Sequence, residues 1–201
     1  MTRIIAGRSG GRVLASPRGD GVRPTAARVR QTLFDILAPR MRGAAFLDAC
    51  AGSGAIGLEA ASRGASRVVM FDVAHDAVET IRANVRIVGE GGGRIEVHRR
   101  DARIGIRGLG QAGARFDVIF VDPPYASPLY EELLELVSST SLLASEGLVV
   151  AEHFKKRPLP ATIGTLTRFR EVRVGDHILS FYRVSKMPGS PEADETPGRS
   201  D

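Results

Sequence analysis

From residue 44 onward, short apolar runs alternate with segments whose apolar residues recur every three or four positions. The runs are Ala45-Phe46-Leu47, Arg67-Val68-Val69-Met70-Phe71, Arg94-Ile95-Glu96-Val97-His98, Phe116-Asp117-Val118-Ile119-Phe120-Val121 and Gly147-Leu148-Val149-Val150-Ala151. Each has the length of a strand. Between them, Ala55 to Arg63, His75 to Val88 and Leu129 to Val137 carry helical spacing, clearest in Ala77, Val78, Ile81 and Val85. Residues 102–115 are Gly-rich and fit either a short helix or a loop. Strands alternating with helices predict a parallel sheet covered on both faces. Near the end, Leu166–Val174 and His177–Val184 flank Gly175-Asp176, a two-residue hairpin turn that adds an antiparallel edge. The expected fold is α/β: a doubly wound, Rossmann-like, mostly parallel seven-stranded sheet with an antiparallel edge hairpin.

The first 42 residues follow a different pattern. Arg3-Ile4-Ile5-Ala6-Gly7, the turn residues Arg8-Ser9-Gly10-Gly11 and Arg12-Val13-Leu14-Ala15-Ser16 predict a small β-hairpin. A Gly/Pro-rich loop leads to Arg23-Pro24. Thr25 is the expected N-cap of a helix with Val29, Leu33, Phe34, Ile36 and Leu37 as its apolar stripe, closed by Pro39 and Gly43. Residues 186–201 are rich in Pro, Gly, Ser and acids, a composition that cannot build a core. Three segments are therefore expected: a basic extension over 1–42, the main domain over 43–185 and an acidic disordered tail over 186–201.

Charge sharpens this division. The chain carries 28 basic and 23 acidic side chains, a net of +5. Residues 1–42 hold nine Arg against two Asp, residues 43–185 are balanced at 17 of each sign, and the tail is net negative. The positive excess therefore sits in one segment. Arg forks match phosphates bidentately and stack on bases, so the segment suits nucleic acid. No apolar run approaches the length of a membrane span, and the first residues lack the apolar core of a signal peptide, so a cytoplasmic protein is expected; a monomer is expected as well. The single cysteine, Cys50, has no disulfide partner, and no His/Cys cluster offers a metal site.

Four of the strands are each followed by an acid: Asp48, Asp72, Asp101 and Asp122. In an open parallel sheet the carboxyl ends of the strands line one crevice, so these acids should converge on one ligand. After Asp48 comes Gly52-Ser53-Gly54-Ala55-Ile56-Gly57, formally a dinucleotide fingerprint, with Asp72 twenty residues beyond Gly52. That makes a nicotinamide- or flavin-dependent oxidoreductase a rival. Asp48 argues against it, because a carboxylate at this loop would repel a pyrophosphate. S-adenosylmethionine has no phosphate and carries a sulfonium and an ammonium, which acids attract. In this reading Asp48, Ala51, Gly52, Ser53 and Gly54 approach the methionine part. Asp72 with Val73 takes the ribose side, and Asp101 with Ala102 the adenine. Asp122-Pro123-Pro124-Tyr125 is a stiff loop at the mouth of the sheet, since consecutive prolines end a strand and fix the backbone.

These motifs carry a family resemblance. Asp48-x-Cys50-Ala51-Gly52-Ser53-Gly54 resembles the first motif of class I S-adenosylmethionine-dependent methyltransferases. Asp122-Pro123-Pro124-Tyr125 resembles the (Asp/Asn)-Pro-Pro-(Tyr/Phe) motif of their amino-methylating branch. The N-terminal Arg3-Ile4-Ile5-Ala6-Gly7, Arg23-Pro24-Thr25, Arg28-Val29-Arg30 and Leu33-Phe34-Asp35-Ile36-Leu37, with Gly52 through Ala60 and Ser62-Arg63-Gly64-Ala65, resemble the bacterial 16S ribosomal RNA guanine(966)-N2-methyltransferases over residues 3–184. Asp72 departs from the Glu common in relatives, and Cys50 stands where an aromatic is frequent.

The resemblance implies methyl transfer to the exocyclic amino group of one guanine in 16S ribosomal RNA, alone or within the small subunit. Asp122 and the Pro123 carbonyl would accept the amino hydrogens, Asp122 also bordering the cofactor, and Tyr125 would stack on the splayed base. Arg8, Arg12, Arg18, Arg23, Arg28 and Arg30 would grip RNA. The stretch from Arg23 to Arg30 could equally close on the cofactor's carboxylate, and sequence does not separate these uses. Other amino-group substrates, adenine N6 or protein glutamine, share the chemistry. From a different class, a non-catalytic RNA-binding ribosome-assembly factor remains an alternative.

Overall fold

The computed structural model of the chain describes residues 2–16, 24–89, 93–124 and 127–185. The N-terminal hairpin is reduced to β1 (Thr2–Arg3) and β2 (Val13–Leu14), paired antiparallel. It is followed by α1 (Pro24–Met41), β3 (Ala45–Asp48), α2 (Ala55–Ser62), β4 (Arg67–Asp72), α3 (His75–Val88), β5 (Arg94–Arg99), α4 (Ala102–Gln111), β6 (Phe116–Val121), α5 (Leu129–Ser139), β7 (Leu143–Phe154), β8 (Thr162–Ile163), β9 (Leu166–Val174) and β10 (His177–Val184).

One sheet runs in the order β5-β4-β3-β6-β7-β10-β9-β8, its first five strands parallel and its last three antiparallel. It has eight strands where seven are expected. The extra strand, β8, is two residues long and covers the start of β9. The chain winds outward from β3 through β4 to β5, then returns to the other side of β3 through β6 to β7. The switch point therefore lies between β3 and β6, where Leu47 pairs with Ile119 and Asp48 with Phe120.

Strand alternation sends every second residue to each face. Phe46, Val68, Met70, Val118, Phe120, Val150 and Phe181 pack beneath Leu33, Phe34, Leu37, Leu58 and Ile81 of α1, α2 and α3. Leu47, Val69, Phe71, Ile119, Val121, Val149 and Tyr182 face Ile106, Leu133, Leu134 and Val137 of α4 and α5. Pro39, expected to end α1, sits inside its last turn. It lies on the exposed flank with Asp35, whose carbonyl is the one deprived of a partner, and buried Met41 holds the end down. The Gly-rich segment after β5 is helical, anchored through Ala102, Gly105 and Ile106.

The N-terminal segment lies as a strap across α2 and α3. The amides of Ile5 and Ala6 donate to the carboxylate of Glu59 at 2.7 and 3.0 Å, which is why the strand expected there does not form. Arg63 Nε completes that carboxylate's shell at 2.7 Å. Ser62 Oγ donates to the Ala6 carbonyl and accepts from the Ser9 amide. Ser9 Oγ donates to the Val88 carbonyl, and Asn84 holds both backbone groups of Ala15. Among the described residues, no helix is long and apolar enough to cross a membrane.

Candidate functional site

The strand order fixes how the acids line up. Reading across the carboxyl edge from β5 to β6 gives Asp101, Asp72, Asp48 and Asp122. Cys50, half-buried beyond β3, lies within the electrostatic reach of all four, and burial together with their charge pushes its thiol pKa upward. The structure therefore brings the four acids together along one edge of the sheet, around the switch point.

The loop between β3 and α2 is laced to its neighbours. Ala49 N–H donates to the Phe120 carbonyl at 3.0 Å and Ala51 N–H to the Phe71 carbonyl at 2.8 Å. Gly54 enters α2 with φ of 76°, a conformation that disfavours side chains. Gly57 lets α2 settle on β4: a Cβ there would meet Met70 Sδ at 2.6 Å.

Asp48 is 1% exposed. Its Oδ2 accepts the Gly57 amide at 3.1 Å, while its Oδ1 has no partner in hydrogen-bonding geometry among the described residues. Burial raises its pKa to about 7, helped by the Asp72 charge and against the lowering effect of the Gly57 and Cys50 amides. Asp122 is also held well above the usual carboxylate range, by burial first and then by the charges of Glu152 and Asp48. Asp72 is half-buried and shaped by backbone: Oδ2 accepts Gly52 N–H and Oδ1 accepts Ala74 N–H, both at 2.8 Å. Val73 beside it is 62% exposed, an uncovered apolar side chain. Asp101 caps α4 through Arg103 N–H at 2.9 Å. The Arg103 guanidinium grips both its oxygens and holds its pKa below the usual range.

A buried carboxylate with a spare oxygen and a raised pKa is stabilised by a cation and repels an anion. A cationic, phosphate-free ligand, the class expected from the sequence, fits these residues; a pyrophosphate does not.

The Pro123 carbonyl, expected to accept a substrate hydrogen, already accepts one from Tyr130 Oη at 3.1 Å. A carbonyl oxygen has two lone pairs, so one remains as far as the described residues go. Tyr125, Arg18 and Arg23 lie outside the described residues, as does the acidic tail. Arg8, Arg12 and Arg28 are exposed, with the Arg12 guanidinium reaching the Ile87 and Val88 carbonyls at the end of α3. Arg30, expected to grip RNA, is placed differently from these. It is 8% exposed, donates to the Arg3 carbonyl at 2.7 Å, and has its pKa lowered by burial. Facing the strap rather than solvent, it serves the fold.

Sequence reasoning misses several residues around the site. Glu152 extends the acid row by one strand, beside Asp122, and its Oε1 is 2.8 Å from Nδ1 of His177 on β10. A signal existed: Leu148-Val149-Val150-Ala151-Glu152 repeats the pattern of an apolar run followed by an acid. His177 is brought to Glu152 by pairing of β10 with β7. Asn84, a lone helical amide in sequence, ties Ala15 to the glycine loop, donating to the Ser53 carbonyl at 3.1 Å.

A family model described as Conserved hypothetical protein 95 matches residues 2–183. The Escherichia coli K12 protein named ribosomal RNA small subunit methyltransferase D is 34% identical over 192 residues, covering 96% of this chain and 94% of its own. The solved structure of the Escherichia coli yhhF protein superposes with a TM-score of 0.77 at 33% identity, covering 92% of this chain and 99% of that one. A hypothetical protein of Thermus thermophilus gives 0.76 at 33% identity, over 90% of this chain and 98% of that one.

Proposed function

The chain belongs to the Conserved hypothetical protein 95 family, which takes in the bacterial ribosomal RNA small subunit methyltransferases D, and from this premise we propose that it uses S-adenosylmethionine to methylate 16S ribosomal RNA. The finer reading is transfer to N2 of guanine 966. It rests on the resemblance of the N-terminal and Asp-Pro-Pro-Tyr motifs to enzymes of that specificity. The observation that carries the chemistry is the adjacency of two strand ends at the switch point. Asp48 with its spare oxygen and glycine loop ends one, and Asp122-Pro123 follows the other.

Bound S-adenosylmethionine would supply an electrophilic methyl group on a sulfonium. Asp48, Ala51, Gly52, Ser53 and Gly54 would hold its methionine end, Asp72 and Val73 its ribose, and Asp101 and Ala102 its adenine. An exocyclic amino group is planar and a poor nucleophile. Asp122 and the free lone pair of the Pro123 carbonyl would accept its two hydrogens, favouring the pyramidal nitrogen and stabilising the charge that develops there. The raised pKa of Asp122 suits it to take the proton released once nitrogen has become cationic. Tyr125 would stack on the extruded base, and the exposed residues Arg8, Arg12 and Arg28 would bind backbone phosphates, with affinity that falls as salt rises.

The test is Asp122→Ala, assayed for methyl transfer to 16S RNA and to small subunits, with cofactor binding measured alongside. Transfer should fall by at least about 100-fold while the protein still binds cofactor. Near wild-type transfer would overturn the mechanism. Mapping of methylated nucleosides in 16S RNA from cells lacking the protein tests the nucleotide.

A further inference from the structure

The loop that carries Asp122 and Pro123 is gripped from behind by residues that no motif or spacing connects with it. Tyr130, in the first turn of α5, is fully buried and points its hydroxyl at the Pro123 carbonyl, 3.1 Å away. Arg157, three residues beyond β7, places its guanidinium 5.0 Å from the centre of the Tyr130 ring. The same guanidinium donates to the Ser127 carbonyl at the far side of the loop and bonds Glu131 Oε2 at 3.0 Å. Ser127 N–H in turn donates to the Pro124 carbonyl at 2.8 Å. One tyrosine and one arginine thus fix the loop at two points, Pro123 and Ser127. In sequence, Lys155-Lys156-Arg157 looks like a solvated basic loop; the structure turns Arg157 inward, 29% exposed by side chain.

The chemistry gives this grip a purpose. The Pro123 carbonyl belongs to a tertiary amide, because the next residue is Pro124, and neither proline can tie the loop through an N–H. The carbonyl must be oriented from outside. A phenol donating to one lone pair does that and leaves the other for a substrate hydrogen. Misplacing a reacting or accepting atom by about 1 Å can cost about 100-fold in rate.

We propose that Tyr130 and Arg157 are positioning residues for amino-group methylation, with Tyr130 aiming the Pro123 carbonyl and Arg157 locking Tyr130 and Ser127 together. The proposal rests on the methyltransferase reading above. It assigns neither residue a contact with substrate.

The experiment compares Tyr130→Phe, Arg157→Lys and Arg157→Met with wild type in steady-state methylation of 16S RNA and of small subunits at 25 °C. Folded fraction and cofactor affinity are measured on the same samples. Tyr130→Phe should lower kcat roughly tenfold, the loss of one oriented acceptor, with both KM values within about twofold. Arg157→Met should lower kcat by as much or more. Arg157→Lys should recover only part, because an ammonium lacks the planar fork. Hydrogen exchange at the Ser127 amide should quicken in both Arg157 variants. A purely structural role would lower the unfolding midpoint and leave kcat of the folded protein unchanged, and that result would overturn the proposal. If wild type transfers no methyl group to RNA, the functional reading falls by itself. The grip is then judged by Ser127 exchange, which unchanged in Arg157→Met would overturn it too.

Discussion

Asp48→Asn offers a quantitative check on the electrostatics of the crevice. In the cofactor-free protein Asp48 is buried and has its pKa raised from 3.8 to about 7. Between those values the folded protein holds a proton that the unfolded chain has released. The Asp48 contribution to stability therefore falls as pH rises through that window, and levels off above about pH 7. Roughly three pKa units at 1.36 kcal/mol each amount to about 4 kcal/mol at pH 8 relative to pH 4. Asparagine cannot titrate. The difference in unfolding free energy between the variant and wild type should thus shift in the variant's favour by about 1.4 kcal/mol per pH unit, to a total near 4 kcal/mol. Asp122 titrates in both proteins. Removing the Asp48 charge relieves one cause of its raised pKa and adds to the shift in the same direction. Denaturant unfolding of cofactor-free protein at several pH values from 4.5 to 8.5 measures this difference directly. S-adenosylmethionine should offset the strain in wild type, binding more tightly as pH rises through about 7, and should do so much less in the variant. Stability curves that run parallel across the whole pH range would refute the reasoning.

Two further perturbations test the scaffold around the site. Glu59→Ala leaves the Ile5 and Ala6 amides and the Arg63 guanidinium without their shared buried acceptor, so it should cost about 3–5 kcal/mol in denaturant unfolding and speed tryptic cleavage after Arg8 and Arg12. Gly57→Ala drives a methyl group to 2.6 Å from Met70 Sδ, and should destabilise by about 1–3 kcal/mol while weakening cofactor binding, because α2 must lift from β4 and carry the glycine loop with it.

The parts of the molecule legible in the sequence are those set by local periodicity. The alternation from β3 to β7 appears in the apolar runs, and the four strand-end acids follow from that alternation alone. The parts that were hidden depend on chain segments meeting across distance. Glu59, in Leu58-Glu59-Ala60, looks like an ordinary charge on a helix surface; it becomes buried because Ile5 and Ala6 lie down on it. Arg30 shares the composition of its arginine-rich neighbours, and only its orientation on α1 separates it from Arg28. Tyr130 and Arg157 stand 27 residues apart and are joined by the return of the chain after β7. The reading of Pro123 as an acceptor was accessible from its motif. The tyrosine that already occupies one of its lone pairs was not.

The strap has a consequence for the order in which the molecule can be completed. Translation releases residues 4–15 before the surfaces that fasten them are made. Glu59 follows Ile5 by 54 residues, Asn84 follows Ala15 by 69, and the Val88 carbonyl follows Ser9 by 79. At about 5–20 residues per second Ser9 waits roughly 4–16 s for the Val88 carbonyl to be synthesised. Docking the strap also closes loops of up to 79 residues, which favours its joining late in folding and leaving early in unfolding. The strap therefore acts as a latch. Loosening it should hasten unfolding far more than it slows folding, so the lifetime of the finished molecule depends on residues whose role cannot begin until α3 has left the ribosome.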